Sequence, residues 1–249
     1  MFIAFDGIEN ARELGGLTRL DGRHIKEGVL FRTGHLENAS REDVRRLEES
    51  GLSHIIDLRD MREVTEHPDQ AVPGAEHHHI PALGDLRDLF KKKPDDPTMT
   101  AEEVHHDFCQ LYRVLAQSPH SQTAYEKFFQ VLLGSEGKPV LWHCTQGKDR
   151  TGIAAMLLLI ALGFEEEQAL QEFMLTNRFA EKQLAALEAA GKPQKVLDFM
   201  KEIFFVFYDN ARFYLDCLHL EYGNIYNFLE LVLGIGPKEI ETLEKYYLE

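Results

Sequence analysis

Cys144 and Arg150 bracket the run His143-Cys144-Thr145-Gln146-Gly147-Lys148-Asp149-Arg150-Thr151-Gly152. The apolar stretch Pro139-Val140-Leu141-Trp142 leads in, and an apolar helical pattern from Gly152 to Leu162 leads out. The pattern reads as a buried strand, a tight loop and a helix, with a thiol at the loop's start and a guanidinium at its end. N–H groups at a helix start lack intrahelical partners, so the loop can bind an anion such as phosphate. The helix dipole adds positive potential there. The same surroundings favour a thiolate, so Cys144 can serve as a nucleophile without a separate base. Arg150 offers a planar fork that grips two phosphate oxygens, which a lysine could not do. Thr151 can donate its hydroxyl to the Cys144 sulfur and ease its later departure. His143 suits a bond to backbone beside Cys144 better than the role of a base. Gly147 permits a backbone shape that a side chain would obstruct. Thr145, Gln146 and Lys148 complete the phosphate-facing loop.

A cysteine and an arginine at this spacing carry little information by themselves, since a core cysteine before a capping loop fits equally well. The longer string carries more, because cations at a helix start oppose the dipole and need another reason to be there. A nucleotide-binding Walker loop is excluded: Asp149 follows Lys148, and the upstream glycine is missing.

The string resembles the signature of cysteine-dependent tyrosine phosphatases, in the version found in atypical bacterial tyrosine/lipid phosphatases. Other segments carry the likeness from about residue 10 to the end. Asn10-Ala11-Arg12-Glu13-Leu14-Gly15-Gly16, Gly28-Val29-Leu30-Phe31-Arg32-Thr33-Gly34 and Ile56-Asp57-Leu58-Arg59 are similar to family motifs. Leu175-Thr176-Asn177, Tyr222-Gly223-Asn224 and Leu233-Gly234 echo later ones. Ala11 departs from the family's usual aromatic, which bears on packing. The resemblance implies a phosphomonoester hydrolase that works through a phosphocysteine and needs no metal or other cofactor. It implies a tyrosine-phosphatase-like α/β fold, a central mainly parallel sheet flanked by helices with a helical C-terminal part. Substrate class stays open between phosphotyrosine, phosphoserine or phosphothreonine, and phosphoinositides. Lys148 adds a second fixed charge beside Arg150, and a lysine there accompanies phosphoinositide as well as phosphoprotein activity in the family; the alternative is a solvated lysine at a loop tip.

The leaving oxygen needs a proton from a positioned acid. The chain's one tryptophan, Trp142, precedes His143, so no Trp-Pro-Asp loop exists. The resemblance points to Asp149 as the acid, where the like charge of a bound phosphate favours a protonated carboxyl. Asp149 could instead cap the following helix. Asp107 competes for the role but falls in a helical pattern from Ala101 to Gln117.

Composition fits one soluble α/β domain spanning 1–249. The net charge of −15 argues against nucleic acid and anionic membrane as partners, so phosphate must be captured by a local field. Cys109, Cys144 and Cys217 imply no disulfide framework. Cys109 or Cys217 could act as a resolving thiol, although buried hydrophobe is the simpler reading. The start Met1 to Asp6 shows no signal peptide, and Ile153 to Leu162 is too short to span a bilayer, so a cytoplasmic location is expected, with export by another route left open. Oligomeric state is not legible.

The periods predict a hairpin over 17–33 around Asp21-Gly22, a helix from Arg41 to Ser50 capped by Ser40, and strands at His54 to Leu58 and His77 to Ile80. They predict a flexible polar loop from Asp85 to Pro97 carrying Lys91-Lys92-Lys93, and helices at Ala101 to Gln117 and Ser121 to Leu133. The stretch 165–207 reads as core helices or as a helical lid. His77-His78-His79 would alternate across a strand, and His105-His106 lack ligand spacing, so no metal site is expected.

Overall fold

The computed structural model describes residues 1–84 and 100–249. The expected loop from Asp85 to Pro97, with its lysine run, lies outside the described residues. The sheet contains β1 (Arg12–Glu13), β2 (Leu30–Thr33), β3 (His54–Asp57), β4 (Glu76–His79) and β5 (Val140–His143). Their order is β1-β2-β5-β3-β4, with β1 antiparallel to β2 and the other pairs parallel. The mainly parallel sheet flanked by helices is the α/β architecture expected from the sequence.

Alternation along each strand splits the core into two layers. Phe31, Ile55 and Leu141 face one side, where they meet Leu47 of α1 (Arg41–Glu49). Leu30, Ile56, Val140 and Trp142 face the other, under the main body of helices. With both faces covered, the central strands are apolar throughout. The main helical layer holds α3 (Ala101–Gln117), α4 (Pro119–Gly134), α5 (Asp149–Ala161) and α6 (Glu166–Met174). It also holds α9 (Tyr208–Tyr222), α10 (Ile225–Leu231) and α11 (Pro237–Tyr247); α2 (Met61–Glu66) follows β3. From Thr151 to Ala161 every residue of α5 is buried, which makes it the central helix of this layer. Gly152 lets α6 approach: a Cβ there would sit 2.4 Å from the Phe173 ring.

Helix α1 begins at Ser40, whose hydroxyl accepts from the Asp43 amide in a capping box. The expected hairpin over 17–33 forms about Asp21-Gly22 but is shorter, closing over residues 16–25. The turn at Asp21-Gly22 closes a single bridge between Thr18 and His24. Ile25 N–H donates to Leu17 O at 2.9 Å across the hairpin, and the second arm also pairs with the far terminus: Ile25 bridges Leu248, and His24 N–H donates to Glu249 O at 2.9 Å. Residues 30–33 pair with β1 and β5.

The stretch 165–207 divides in two. Helix α6 is core, with Ala169, Leu170 and Phe173 fully buried. The following hairpin of α7 (Asn177–Ala189) and α8 (Gln194–Phe204) is peripheral, burying only Ala180 and Leu197. Asn177 ties it off by bonding both the carbonyl and the N–H of Val206 at 2.9 Å.

Sheet and helices are joined by a buried charge cluster. Glu172 of α6 receives Arg12 Nε at 2.7 Å and Arg32 at 2.5 Å, and all three side chains are sealed from water. Burial would raise the Glu172 carboxyl's affinity for a proton, but the two arginines outweigh it and hold its pKa below the ordinary value. Arg32 is pulled down to about 10, first by burial and then by the Arg12 charge. Removing one charge from such a cluster leaves the others buried and uncompensated. Glu172→Gln should therefore lower unfolding free energy by about 3–5 kcal/mol. The check is a fall in the urea midpoint at unchanged slope; a loss under about 1 kcal/mol would mean that the arginines do not depend on it.

Candidate active site

Strand β5 ends at His143, α5 begins at Asp149, and the turn between them carries Cys144 and the residues expected to face phosphate. Four successive carbonyls of this turn are bonded from behind. Thr145 O accepts from His35 N–H at 3.1 Å. Gln146 O and Gly147 O accept from Asn10 Nδ2 at 3.0 and 3.1 Å. Arg32 donates to Gly147 O at 2.9 Å and to Lys148 O at 3.4 Å. Among the described residues, the N–H groups of Thr145 to Arg150 donate to no protein acceptor. Carbonyls held from outside and free amides beside a helix start make an anion site. Gly147 is required for this shape. Its φ is 66°, and a Cβ would lie 2.3 Å from Thr33 O.

Cys144 sits at the mouth of this turn, 2% exposed. Arg150 is fixed by α2: its two terminal nitrogens meet the Glu63 carboxylate at 2.6 and 2.8 Å. Thr145 donates its hydroxyl to the same carboxylate. Burial would favour a neutral Arg150, but the Glu63 pair and the nearby Cys144 sulfur outweigh it and hold the guanidinium charged. For Glu63, too, burial works against the charged form. The Arg150 bonds prevail and pull the carboxyl down to about 2. Among the described residues Arg150 Nε donates to nothing, leaving that edge for an oxyanion.

The Asp149 carboxylate accepts from Tyr112 of α3 at 2.7 Å. The N-cap position of α5 belongs to Lys148, with no side-chain cap bond, so the capping alternative for Asp149 is corrected. Asp107 lies within α3, in the helix expected for it. Lys148 is not a solvated tip: it is 4% exposed, donates to Ile203 O at 2.6 Å and lies 4.2 Å from the Phe108 ring centroid. The Thr151 hydroxyl is buried without a hydrogen-bond partner, so the expected bond to the Cys144 sulfur is not made here. His143 is buried, its Nδ1 3.3 Å from Cys144 O and its Nε2 3.3 Å from an Asp69 oxygen. Gln146 contributes its backbone to the turn rather than a bonded side chain.

Asp57, Asp69 and His143 converge closely enough to suggest a cation site. Arg59 already fills that role, contacting Asp57 at 2.7 Å and Asp69 at 2.6 Å, so the cluster is a buttress behind His143. Cys109 donates to Asn210 at 3.2 Å, and both Cys109 and Cys217 have thiols pushed up by burial, which suits packing better than redox exchange.

Sequence reasoning missed Glu63 and Tyr112. Glu63 is visible only as the last residue of a capping box with Asp60, and Tyr112 only as an apolar position on α3. Arg12, Arg32, Asp57 and Arg59 stood in quoted motifs, but nothing in their spacing gave their partners.

A strand-end thiol, free loop amides and an arginine fixed beside them suit cysteine-dependent phosphoryl transfer. Residues 3–249 match the tyrosine phosphatase family model, and the chain belongs to that family. A Cupriavidus necator protein named as a candidate tyrosine-protein phosphatase is 31% identical over 99% of this chain and 88% of its own length. The triple specificity protein phosphatase PtpB of Mycobacterium tuberculosis is 29% identical over 61% of this chain and 62% of its own. The crystal structure of Pseudomonas aeruginosa TpbA with phosphotyrosine overlaps at a TM-score of 0.31 and 17% identity, covering 61% of this chain and 71% of its own.

The Glu63–Arg150 pair sets an acid limit. A carboxyl held at about 2 instead of 4.5 contributes stability that is fully present above about pH 4.5 and lost as pH falls toward 2. Wild type and Glu63→Gln should differ on the order of 3 kcal/mol at pH 7 and converge near pH 2. Urea midpoints across that range check this; a difference independent of pH would rule out the pair as its source.

Proposed function

We propose that the protein hydrolyses phosphate monoesters through a phosphocysteine on Cys144, with phosphotyrosine as the substrate class. The observation that carries this reading is the set of unpartnered amides from Thr145 to Arg150 beside a buried cysteine. A phosphate held by these amides and by the Nε edge of Arg150 presents its phosphorus to the sulfur. The thiolate then forms an S–P bond as the ester P–O bond breaks. Asp149 gives its proton to the leaving oxygen, and Tyr112 holds that carboxyl in place. In the second step water attacks phosphorus, Asp149 takes the water's proton, and the S–P bond breaks to release inorganic phosphate. Arg150 stabilises the charge on the equatorial oxygens in both steps. The Thr151 hydroxyl, unbonded at rest, is free to donate to the departing sulfur. No metal or cofactor enters this scheme.

Two features support the substrate class. A sulfur this buried is reached more readily by a long phenyl phosphate than by the short arm of phosphoserine. Lys148 is committed to the Ile203 carbonyl and the Phe108 ring, so it offers no free second cation to a polyphosphorylated inositol headgroup. The same contact ties the phosphate loop to the end of α8, which supports reading the α7–α8 hairpin as the lid within 165–207.

Cys144→Ser should abolish turnover of phosphotyrosine peptide, phosphoserine peptide and phosphoinositide alike while the protein still binds phosphate. With wild type, phosphotyrosine peptide should have the highest kcat/KM; a higher value for a phosphoinositide would overturn the proposed class. Asp149→Asn should slow alkyl phosphates by about 10²–10⁴ and nitrophenyl phosphate much less, because its leaving group needs little protonation. Equal, small losses on both substrates would remove Asp149 from the role.

A further inference from the structure

At the other end of the sheet from the phosphate loop, where β3 and β4 begin, three potential metal ligands converge. We propose that His54, Glu76 and His78 bind a divalent transition-metal ion of the zinc type, at a site separate from the catalytic loop. The parallel register pairs His54 with Glu76 and Ile56 with His78, so all three side chains share one face. His54 Nδ1 and His78 Nε2 are 3.0 Å apart. The Glu76 carboxylate lies 3.9 Å from the first and 3.8 Å from the second.

Two imidazoles and a carboxylate are a donor set that suits zinc. Zinc bound at about 2.0–2.1 Å in tetrahedral geometry holds its ligand atoms about 3.3 Å apart. The observed separations bracket that value, so shifts of about half an ångström complete the triangle. The two histidines are largely buried, at 15% and 21% side-chain exposure, which fixes their rings; Glu76, at 69%, is free to swing inward. The group opens onto a cleft of ≈ 530 Å³ whose far wall includes Lys127, Gln130 and Val131 of α4, leaving room for water as a fourth ligand. A simple imidazole–imidazole hydrogen bond explains the close pair of rings but gives no reason for a carboxylate to approach both.

The consequence is mechanical. β4 is an edge strand, held to β3 by its ladder and by His79, which bonds Arg59 O at 2.9 Å. A metal across His54, Glu76 and His78 would staple that edge. The site was hidden in the sequence because the histidine triplet does alternate across the strand, and the second imidazole comes from β3.

The test is calorimetric titration of metal-free Cys144→Ser protein with Zn²⁺, the substitution preventing the active-site thiol from taking the ion. One equivalent should bind, and His54→Gln or His78→Gln should weaken it at least about tenfold. At a hundredfold excess over Kd, the melting midpoint should rise roughly 5–10 °C, and not in the variants. Glu76→Gln, an exposed position, serves as the milder variant, with circular dichroism to verify that each variant is folded. Absence of binding, or binding indifferent to all three substitutions, would overturn the proposal.

Discussion

An anion-binding turn must show its amides to the ligand, and this forces its carbonyls to face the protein and find donors there. The rest of the site follows from that constraint. Four consecutive carbonyls, Thr145 to Lys148, are met by His35, Asn10 and Arg32. Asn10 is itself oriented by Arg12, which donates to its side-chain oxygen at 2.7 Å, and Arg12 and Arg32 share Glu172. The chain's opening segment, β2 and α6 are thus committed to holding one loop inside out. The cost is two buried guanidiniums around one carboxylate, an arrangement that contributes little net stability while making the loss of any partner expensive.

The same economy of charge appears at the front of the loop. The chain carries a net charge of −15, yet the site must attract a phosphate. Arg150 is already neutralised by Glu63, and Lys148 is held between the Asp149 carboxylate at 3.5 Å and the Ile203 carbonyl of α8. What remains facing the ligand is mainly a set of oriented dipoles, which attract an anion at close range and have little reach beyond it. Such a pocket selects by shape and contact rather than by long-range steering. Glu63 also fixes the plane of Arg150, so the fork is oriented before substrate arrives, which lowers the entropy lost on binding.

Much of the scaffold was legible because it depends on local patterns. The helix from Ala101 to Gln117 and the Ser40 cap announce themselves by periodicity and capping chemistry. The central strand and the loop after it read directly from an apolar run followed by Gly147. What failed depended on partners distant in sequence. Residues 24 and 25 form one arm of a short hairpin, but the strand from 24 to 26 also pairs with residues 247–249, which no local pattern announces. Glu63 and Tyr112 reach the site from elements that read as ordinary amphipathic helices. Lys148 read as a second substrate-facing charge beside Arg150 because nothing in its neighbourhood announces the carbonyl of Ile203.

Placing the acid within the loop changes what must move. Asp149 is the first residue of α5, and its carboxylate is held by a phenol that burial and the adjacent carboxylate keep protonated, so Tyr112 remains a donor in the resting state. In the proposed roles, Cys144 as nucleophile and Asp149 as acid sit on one strand–loop–helix unit whose helix is buried from Thr151 to Ala161. In the proposed reaction no separate loop has to close to deliver the proton. Any conformational control must come from outside that unit, and the peripheral α7–α8 hairpin is attached to it through Lys148. That one ammonium lies between the Ile203 carbonyl of the hairpin and the Asp149 carboxylate at 3.5 Å, so the position of the hairpin and the electrostatic surroundings of Asp149 are joined at a single side chain.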